Sequence, residues 1–453
     1  MSATSGLPGA MLEWVAEVAG GPVVRAERHV ARREAWVVDA QRPDGSLLEG
    51  FLRLEREPKA GNLWSLEKET AIVSALGSTA VPVAEVYGWN PQLTCALFQR
   101  VSGTGAIAAA ADVDRRGIME QFIDAIAAMH RLDLEALGLP HLPGLRRPGS
   151  ASECALAEVD AIVATWTGFL ASYTDPLITY GLDWLHRFVP AQVSRVSLLQ
   201  GDTGPGNFVF DGDRITAIVD FEWGHYGDPL EDLGNLCVRE FWTPSGCLDR
   251  ALLDRYEKES GIPVDLATVR YYRVQQNVRG MIPIHAATRY AGAQEPLAWY
   301  LAYQYVGDRA TCDAIAESMG ITLTAPQLPD EGEPGVLAQA VDHALMSEVL
   351  PEVGSEFARS RLVDAQQMAA CVDRLRRFEN VIAGLELEAL GELLGKRPQT
   401  VGEGIIAVDT GITEHRYDDE PLLRYLSGRC RRLEWLYAPA CARYPDRDWA
   451  TLD

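Results

Sequence analysis

Leu199-Gln-Gly-Asp-Thr-Gly-Pro-Gly-Asn207, followed by Ile218-Val-Asp-Phe-Glu-Trp223, is the stretch on which the reading of this chain turns. Asp202 stands five residues before Asn207, and a second aspartate, Asp220, closes the apolar run that follows. Val196-Ser-Leu-Leu199 reads as a short apolar strand. Gly201, Gly204, Pro205 and Gly206 then bar regular structure and leave a loop able to curl its polar atoms around an ion. Phe208-Val-Phe210 and Arg214-Ile-Thr-Ala-Ile-Val219 are β-rich runs separated by Asp211-Gly-Asp213, which is a hairpin signal. Asp220 therefore falls where the second strand stops.

These residue types suit phosphoryl transfer. That reaction needs a carboxylate to orient an acceptor hydroxyl and take its proton, and hard oxygen ligands to hold Mg²⁺ against phosphate oxygens. The spacing matches the catalytic and metal-binding loops of kinases, with Asp202 as the base and Asn207 and Asp220 as the metal ligands. Three motifs in order, Gly201-Asp-x-x-x-x-Asn207, Ile218-Val-Asp-Phe-Glu222 and Gly227-Asp-Pro-Leu-Glu-Asp-Leu233, resemble the aminoglycoside phosphotransferase (choline kinase-like) superfamily. The last motif is similar to the branch of phosphotransferase domains linked to acyl-CoA dehydrogenases. The resemblance implies an α+β, two-lobed protein-kinase-like fold with a small β-rich N-lobe over 1–102 and a larger, mainly helical C-lobe over 103–325. It also implies ATP and Mg²⁺ as cofactors, and it makes Asp228 and Asp232 buried caps on the backbone near the catalytic loop.

Upstream, Ala35-Trp-Val-Val-Asp39 and Leu48-Glu-Gly-Phe-Leu-Arg-Leu54 read as neighbouring strands across the turn Pro43-Asp-Gly45. Arg53 falls where the branch carries the basic residue that holds the α- and β-phosphates, and an Arg fork is a good phosphate ligand. Ser65 to Leu76 has helical spacing. Glu69 is the acid that would position Arg53, with Glu67 as its competitor; Glu69 precedes Ile72 by three residues and Val73 by four, which turns it inward. Cys95-Ala-Leu-Phe-Gln-Arg-Val-Ser-Gly103 reads as a strand running into a hinge where the backbone from Gln99 to Val101 would read adenine. The chain departs from the family pattern twice. The phosphate-covering loop, Arg28-His-Val-Ala-Arg-Arg-Glu-Ala-Trp36, has no glycine, so that Arg32 and Arg33 would act there by charge. Gln200 occupies the place of the usual His, and its amide can likewise donate and accept.

Composition narrows the remaining classes. The chain has 453 residues, 47% of them hydrophobic, which is too long for one ordinary domain and ample for buried cores. No run of about 20 apolar residues suggests a membrane span, and the N-terminus lacks a basic start with an apolar run, so a cytoplasmic location is expected. A formal charge of −23 argues against a nucleic-acid partner. Eight cysteines and eight histidines are dispersed without metal-site or disulfide spacing.

The helical segments Arg116 to Leu132, Leu156 to Tyr173, Ala251 to Ser260 and Val269 to Val306 would build the acceptor site, with Trp223 and Trp242 as pocket candidates. Residues 325–335 concentrate Pro, Gly and acid, as an exposed linker does. Beyond them, 336–453 reads as a C-terminal helical module, in which Met368, Cys371, Val372, Leu375, Phe378 and Ile382 are spaced to form an apolar face. This module would serve packing, homodimer formation or contact with a partner enzyme. The expected function is ATP- and Mg²⁺-dependent O-phosphorylation of a small molecule, with an aliphatic or hydroxyacyl-type alcohol as first acceptor class and an aminoglycoside or other antibiotic as the alternative. A reading from another class is a degenerate kinase that binds nucleotide or a partner without turnover.

Overall fold

The period-two runs of the first hundred residues assemble as one antiparallel sheet. The computed structural model describes residues 6–29, 35–55, 63–445 and 447–452; Arg32 and Arg33 lie outside the described residues. After helix α1 (Gly9–Ala19) come β1 (Val23–Arg28), β2 (Ala35–Gln41), β3 (Leu47–Leu54), helix α2 (Leu66–Leu76), β4 (Val86–Asn90) and β5 (Cys95–Gln99). The sheet order is β1-β2-β3-β5-β4. Register pairs Trp36 with Leu52, and Ala40 with Leu48. With Val15 and Ala19 of α1, these residues form one buried cluster.

Strand alternation fixes what the other face carries. Leu52 points into the α1-packed core at 0% exposure, so Arg53 must project from the opposite face, where α2 lies. Ser65 caps α2 by accepting from Lys68 N at 3.2 Å, and the Glu55 carboxylate accepts from Leu66 N at 2.6 Å. Glu69, Ile72, Val73 and Leu76 are buried along the inward side of the helix, and Glu67 is exposed.

The chain continues through α3 (Asp112–His130), α4 (Ala151–Thr165), α5 (Thr167–Leu170) and α6 (Pro176–Arg187) to β6 (Ser197–Leu199), β7 (Phe208–Asp211), β8 (Arg214–Ile218) and β9 (His225–Gly227). β7 and β8 form the expected antiparallel hairpin, and β6 pairs with β9. α7 (Pro229–Trp242) starts at Asp228, whose side chain accepts from Leu230 N, with Pro229 in the first turn. α8 (Arg250–Ser260) is capped in the same way by Asp249. The fold class is the α+β, protein-kinase-like one, with a β-rich N-terminal sheet and a helical remainder.

The segment Val269 to Val306 is not one helix. α9 (Leu266–Tyr290) and α10 (Leu297–Met319) are separated by residues 291–296, which include Gly292 and Pro296. Residues 321–335 carry no regular structure. The C-terminal helices are α11 (Val336–Asp342), α12 (Glu356–Leu394), α13 (Val401–Thr413), α14 (Asp419–Leu436) and α15 (Ala438–Cys441). On α12, Cys371 and Ile382 are buried, but Val372 is 63% exposed: it follows Cys371 by one residue and so turns about 100° off the apolar face. By internal contacts the chain divides into two compact units, one of 1–154, 191–269 and 452–453 and one of 155–190 and 270–451. Among the described residues no helix is long and apolar enough to cross a membrane.

Candidate active site

The first unit gathers Arg53, Glu69, Asp202, Asn207 and Asp220 around the two loops singled out above. Asn207 Nδ2 donates to the Asp202 carbonyl at 2.6 Å and to Asp202 Oδ2 at 2.7 Å. Arg53 pairs with Glu69, and its Nη2 lies 3.7 Å from Asp220 Oδ1. Burial pulls the Arg53 guanidinium down, but the Glu69 and Asp220 carboxylates outweigh it and hold its pKa above the ordinary arginine value. The α2 carboxylate that pairs with Arg53 is Glu69, while Glu67 is exposed.

Asp220 adopts φ 63° and ψ 61°. A non-glycine residue in this left-handed region carries about 1–2 kcal/mol of strain, so the surroundings must hold it there. Gln200 supplies part of that hold. Its Nε2 donates to the Val219 and Asp220 carbonyls, both at 3.0 Å, while its Oε1 accepts from Asp202 N at 2.9 Å. Beneath Gln200, Asp232 accepts from Gln200 N and Gly201 N, each at 2.9 Å. His130 Nε2 lies 3.0 Å from Asp232 Oδ2, and its Nδ1 lies 2.7 Å from Tyr256 OH. Burial raises the Asp232 carboxyl, but the hydrogen bond and charge of His130 overcome it and leave the pKa below the usual value.

Arg239 is the residue that sequence reasoning missed. Its Nη1 lies 3.6 Å from Asp202 Oδ2, and its Nη2 donates to the Pro205 carbonyl at 2.8 Å. The glycines of the loop make room for it: a Cβ at Gly204 would come within 2.5 Å of Arg239 Cβ, and one at Gly206 within 2.6 Å of Arg239 Nη2, with both glycines at positive φ. The available signal was position on α7. Arg239 follows Asp232 by seven residues, two helical turns, and so faces the same loop. Trp64 is the second omission; its ring lies 5.2 Å from that of Trp223, centroid to centroid, and Trp223 follows Asp220 by three residues. Trp242 instead packs edge-on against Phe241.

At the hinge, Gln99 N donates to Glu85 O and Arg100 N to Glu49 O. Neither bond uses the Gln99 carbonyl or the Val101 N–H. Arg100 also pairs with Asp39 at 2.8 Å and with Glu49, which ties the hinge to β2 and β3. Register places Ala96 of β5 opposite Arg53 of β3.

The residues present fit Mg²⁺. Asp220 Oδ1 is a buried oxygen with no hydrogen-bond partner, and the Asn207 amide spends its N–H groups on Asp202, which leaves its Oδ1, accepting from Arg239 Nη2 at 3.4 Å, as its oxygen ligand. Among the described residues no group of three or more His, Cys, Asp or Glu is arranged to hold a metal. Two protein oxygens suit an ion that keeps waters and phosphate oxygens in its other positions.

A sheet whose third strand offers a basic residue to a helix carboxylate, joined to an Asp-to-Asn loop and a left-handed aspartate, belongs to the protein-kinase-like class. Within that class the chain belongs to the APH phosphotransferase enzyme family, whose family model matches residues 29–272, more than half of its length. Acyl-CoA dehydrogenase family member 11 of Rattus norvegicus is 25% identical over 265 residues, covering 55% of this chain and 31% of that protein. Acyl-CoA dehydrogenase family member 10 of Mus musculus is 25% identical over 175 residues, covering 38% of this chain and 15% of that protein. The chain thus spans less than a third of these relatives. A Ralstonia eutropha JMP134 protein provisionally named an aminoglycoside phosphotransferase shares the fold, with a TM-score of 0.52, 20% identity and coverage of 67% of this chain and 95% of that one.

Proposed function

We propose that this phosphotransferase moves the γ-phosphate of ATP to the hydroxyl of a small molecule, with an aliphatic or hydroxyacyl-type alcohol as the first acceptor class. The observation that carries the reading is Asp220: a strained, left-handed carboxylate whose buried Oδ1 faces Arg53 as an ion-pair partner but accepts no hydrogen bond. Packing alone gives no reason to hold an aspartate so.

Each residue then has a task. Arg53, fixed by Glu69, receives the nucleotide phosphates with a fork that stays charged. Asn207 Oδ1 and Asp220 would hold Mg²⁺, which supplies neutralisation of phosphate charge when bound. Asn207 and Arg239 both engage Asp202 Oδ2, and the carboxylate they orient is the one we assign to the acceptor proton. Arg239 keeps Asp202 oriented, and Asp232 fixes the loop backbone that carries it. Gln99 and Val101 backbone groups receive the adenine edge. The names of the relatives favour an acyl or aliphatic acceptor over an antibiotic.

The test is mass spectrometry of aliphatic alcohols, hydroxyacyl-CoAs, aminoglycosides and macrolides incubated with ATP and Mg²⁺, with Asp202→Ala as control. Gain of one phosphoryl mass by an alcohol class, absent in the control, is the expected result. Gain confined to antibiotics would replace the acceptor assignment. Mg²⁺-dependent nucleotide binding without transfer to any class would turn the reading toward a nucleotide-binding module.

A further inference from the structure

We propose that Gln200 is a positioning residue that locks Asp220 in its metal-binding conformation and couples it to Asp202 without using a titratable proton; the proposal rests on the phosphotransferase reading of the site. One orientation of the amide satisfies three backbone groups at once. Both N–H bonds of Nε2 go to carbonyls, those of Val219 and Asp220, and the one oxygen accepts the Asp202 N–H. The two carbonyls flank the Asp220 N–Cα–C unit, so holding both fixes the sense of the left-handed turn at Asp220. The third bond ties that turn to the residue that carries the base.

Gln200 is itself fully buried and held from below, because Asp232 takes its backbone N–H and that of Gly201. The lock therefore has a rigid base in Asp232 and His130, and it spans the two loops that carry Asp202 and Asp220. An imidazole at this position has one donor and one acceptor when neutral, and two donors with no acceptor when protonated. It cannot make all three bonds in either state, and on protonation it abandons the Asp202 N–H. An amide makes all three without titrating, so the link between base loop and metal loop carries no titratable proton at residue 200.

The experiment compares wild type, Gln200→Leu and Gln200→His by hydrogen exchange of the nucleotide-free protein and by ADP titration with Mg²⁺ or with EDTA across pH. In Gln200→Leu, exchange at residues 202 and 219–221 rises by at least about tenfold, as expected for loss of buried hydrogen bonds, while the rest of the sheet is unchanged. The gain in ADP affinity conferred by Mg²⁺ falls by at least about tenfold, and affinity in EDTA stays within about twofold. In Gln200→His the Mg²⁺-conferred gain declines as pH falls through about 6.5, the ordinary histidine value, whereas wild type stays flat over that range.

Unchanged local exchange in Gln200→Leu overturns the proposal. So does an equal loss of affinity with and without Mg²⁺, or exchange that rises throughout the unit, because each marks a merely structural residue. If wild type binds no nucleotide, the phosphotransferase reading fails by itself, and the exchange arm still decides whether Gln200 holds Asp220.

Discussion

Two buried polar networks, one in each compact unit, solve the same problem differently. In the first, His130 and Asp232 support Gln200, and the network ends in glycines at positive φ, a left-handed aspartate and a buried carboxylate oxygen that accepts no hydrogen bond. In the second, His285 Nε2 meets Asp308 at 2.8 Å, its Nδ1 meets Tyr173 OH at 3.1 Å, and Asp175 lies 4.0 Å away. Here the supports are regular: His285 and Asp308 sit within α9 and α10, and Asp175 caps α6 through Leu177 N. Burial alone does not mark a reactive site. What separates the networks is strain and incomplete satisfaction, present around Asp220 and not at His285.

The comparison can be broken most forcefully in the second network. His285→Leu leaves Asp308 without its partner and should lower stability by about 3–5 kcal/mol, the range for breaking a buried pair, with turnover of the surviving folded protein unchanged; denaturant melts and steady-state rates check both. A fall in turnover would instead connect this network, whose Tyr173 and Asp175 border a cavity of about 260 Å³, to acceptor recognition. In the first network, Asp202→Ala should lower turnover by at least about 100-fold, as for loss of a positioned base, with little change in melting temperature. Unchanged turnover would remove Asp202 from that role. Arg53→Lys should weaken nucleotide binding by about tenfold in a calorimetric titration, because an ammonium cannot reproduce a fork set between Glu69 and Asp220; equal affinity would show that only the charge matters.

The strand, loop and hairpin around Asp202 were legible because glycine, proline and an Asp-Gly turn act locally, within a few residues. Arg53 and Glu69 were legible for another reason: alternation on β3 and helical period on α2 set which way each points. Arg239 was not read: its helical spacing from Asp232 gives the face it shares, but how closely that face approaches the loop is set by tertiary packing. Trp64 was missed likewise, for its partner Trp223 is remote in sequence. Val372 was misplaced because consecutive apolar residues on a helix cannot both face inward, and the neighbour that packs, Cys371, is chosen by tertiary structure. The absence of glycine from the loop at 28–36 was legible, but its consequence for Arg33 lies outside the described residues.

The two networks should also respond to pH in opposite senses. Asp232 is held below its ordinary pKa, so its contribution is present above roughly pH 3.9 and is lost as pH falls through the folded value. His285 is different: burial pulls it down, but Asp308 and Asp175 outweigh burial and Arg429, and its pKa is raised. Its contribution is full below about pH 6.5 and is lost as pH rises through the folded value. Hydrogen exchange against pH should therefore loosen residues 199–207 at the acid end and residues 280–288 at the alkaline end, the smallest of these effects, equivalent to a few degrees in Tm per kcal/mol. The same order of loosening at both ends would erase the distinction.

The most direct measurement is a crystal structure with a non-hydrolysable ATP analogue and Mg²⁺. The account predicts a metal bound by Asn207 Oδ1 and Asp220, phosphates on Arg53, adenine at the backbone of Gln99 and Val101, and Asp220 still left-handed with Gln200 on its carbonyl. Nucleotide bound away from Arg53, or a metal that touches neither Asn207 nor Asp220, would contradict it.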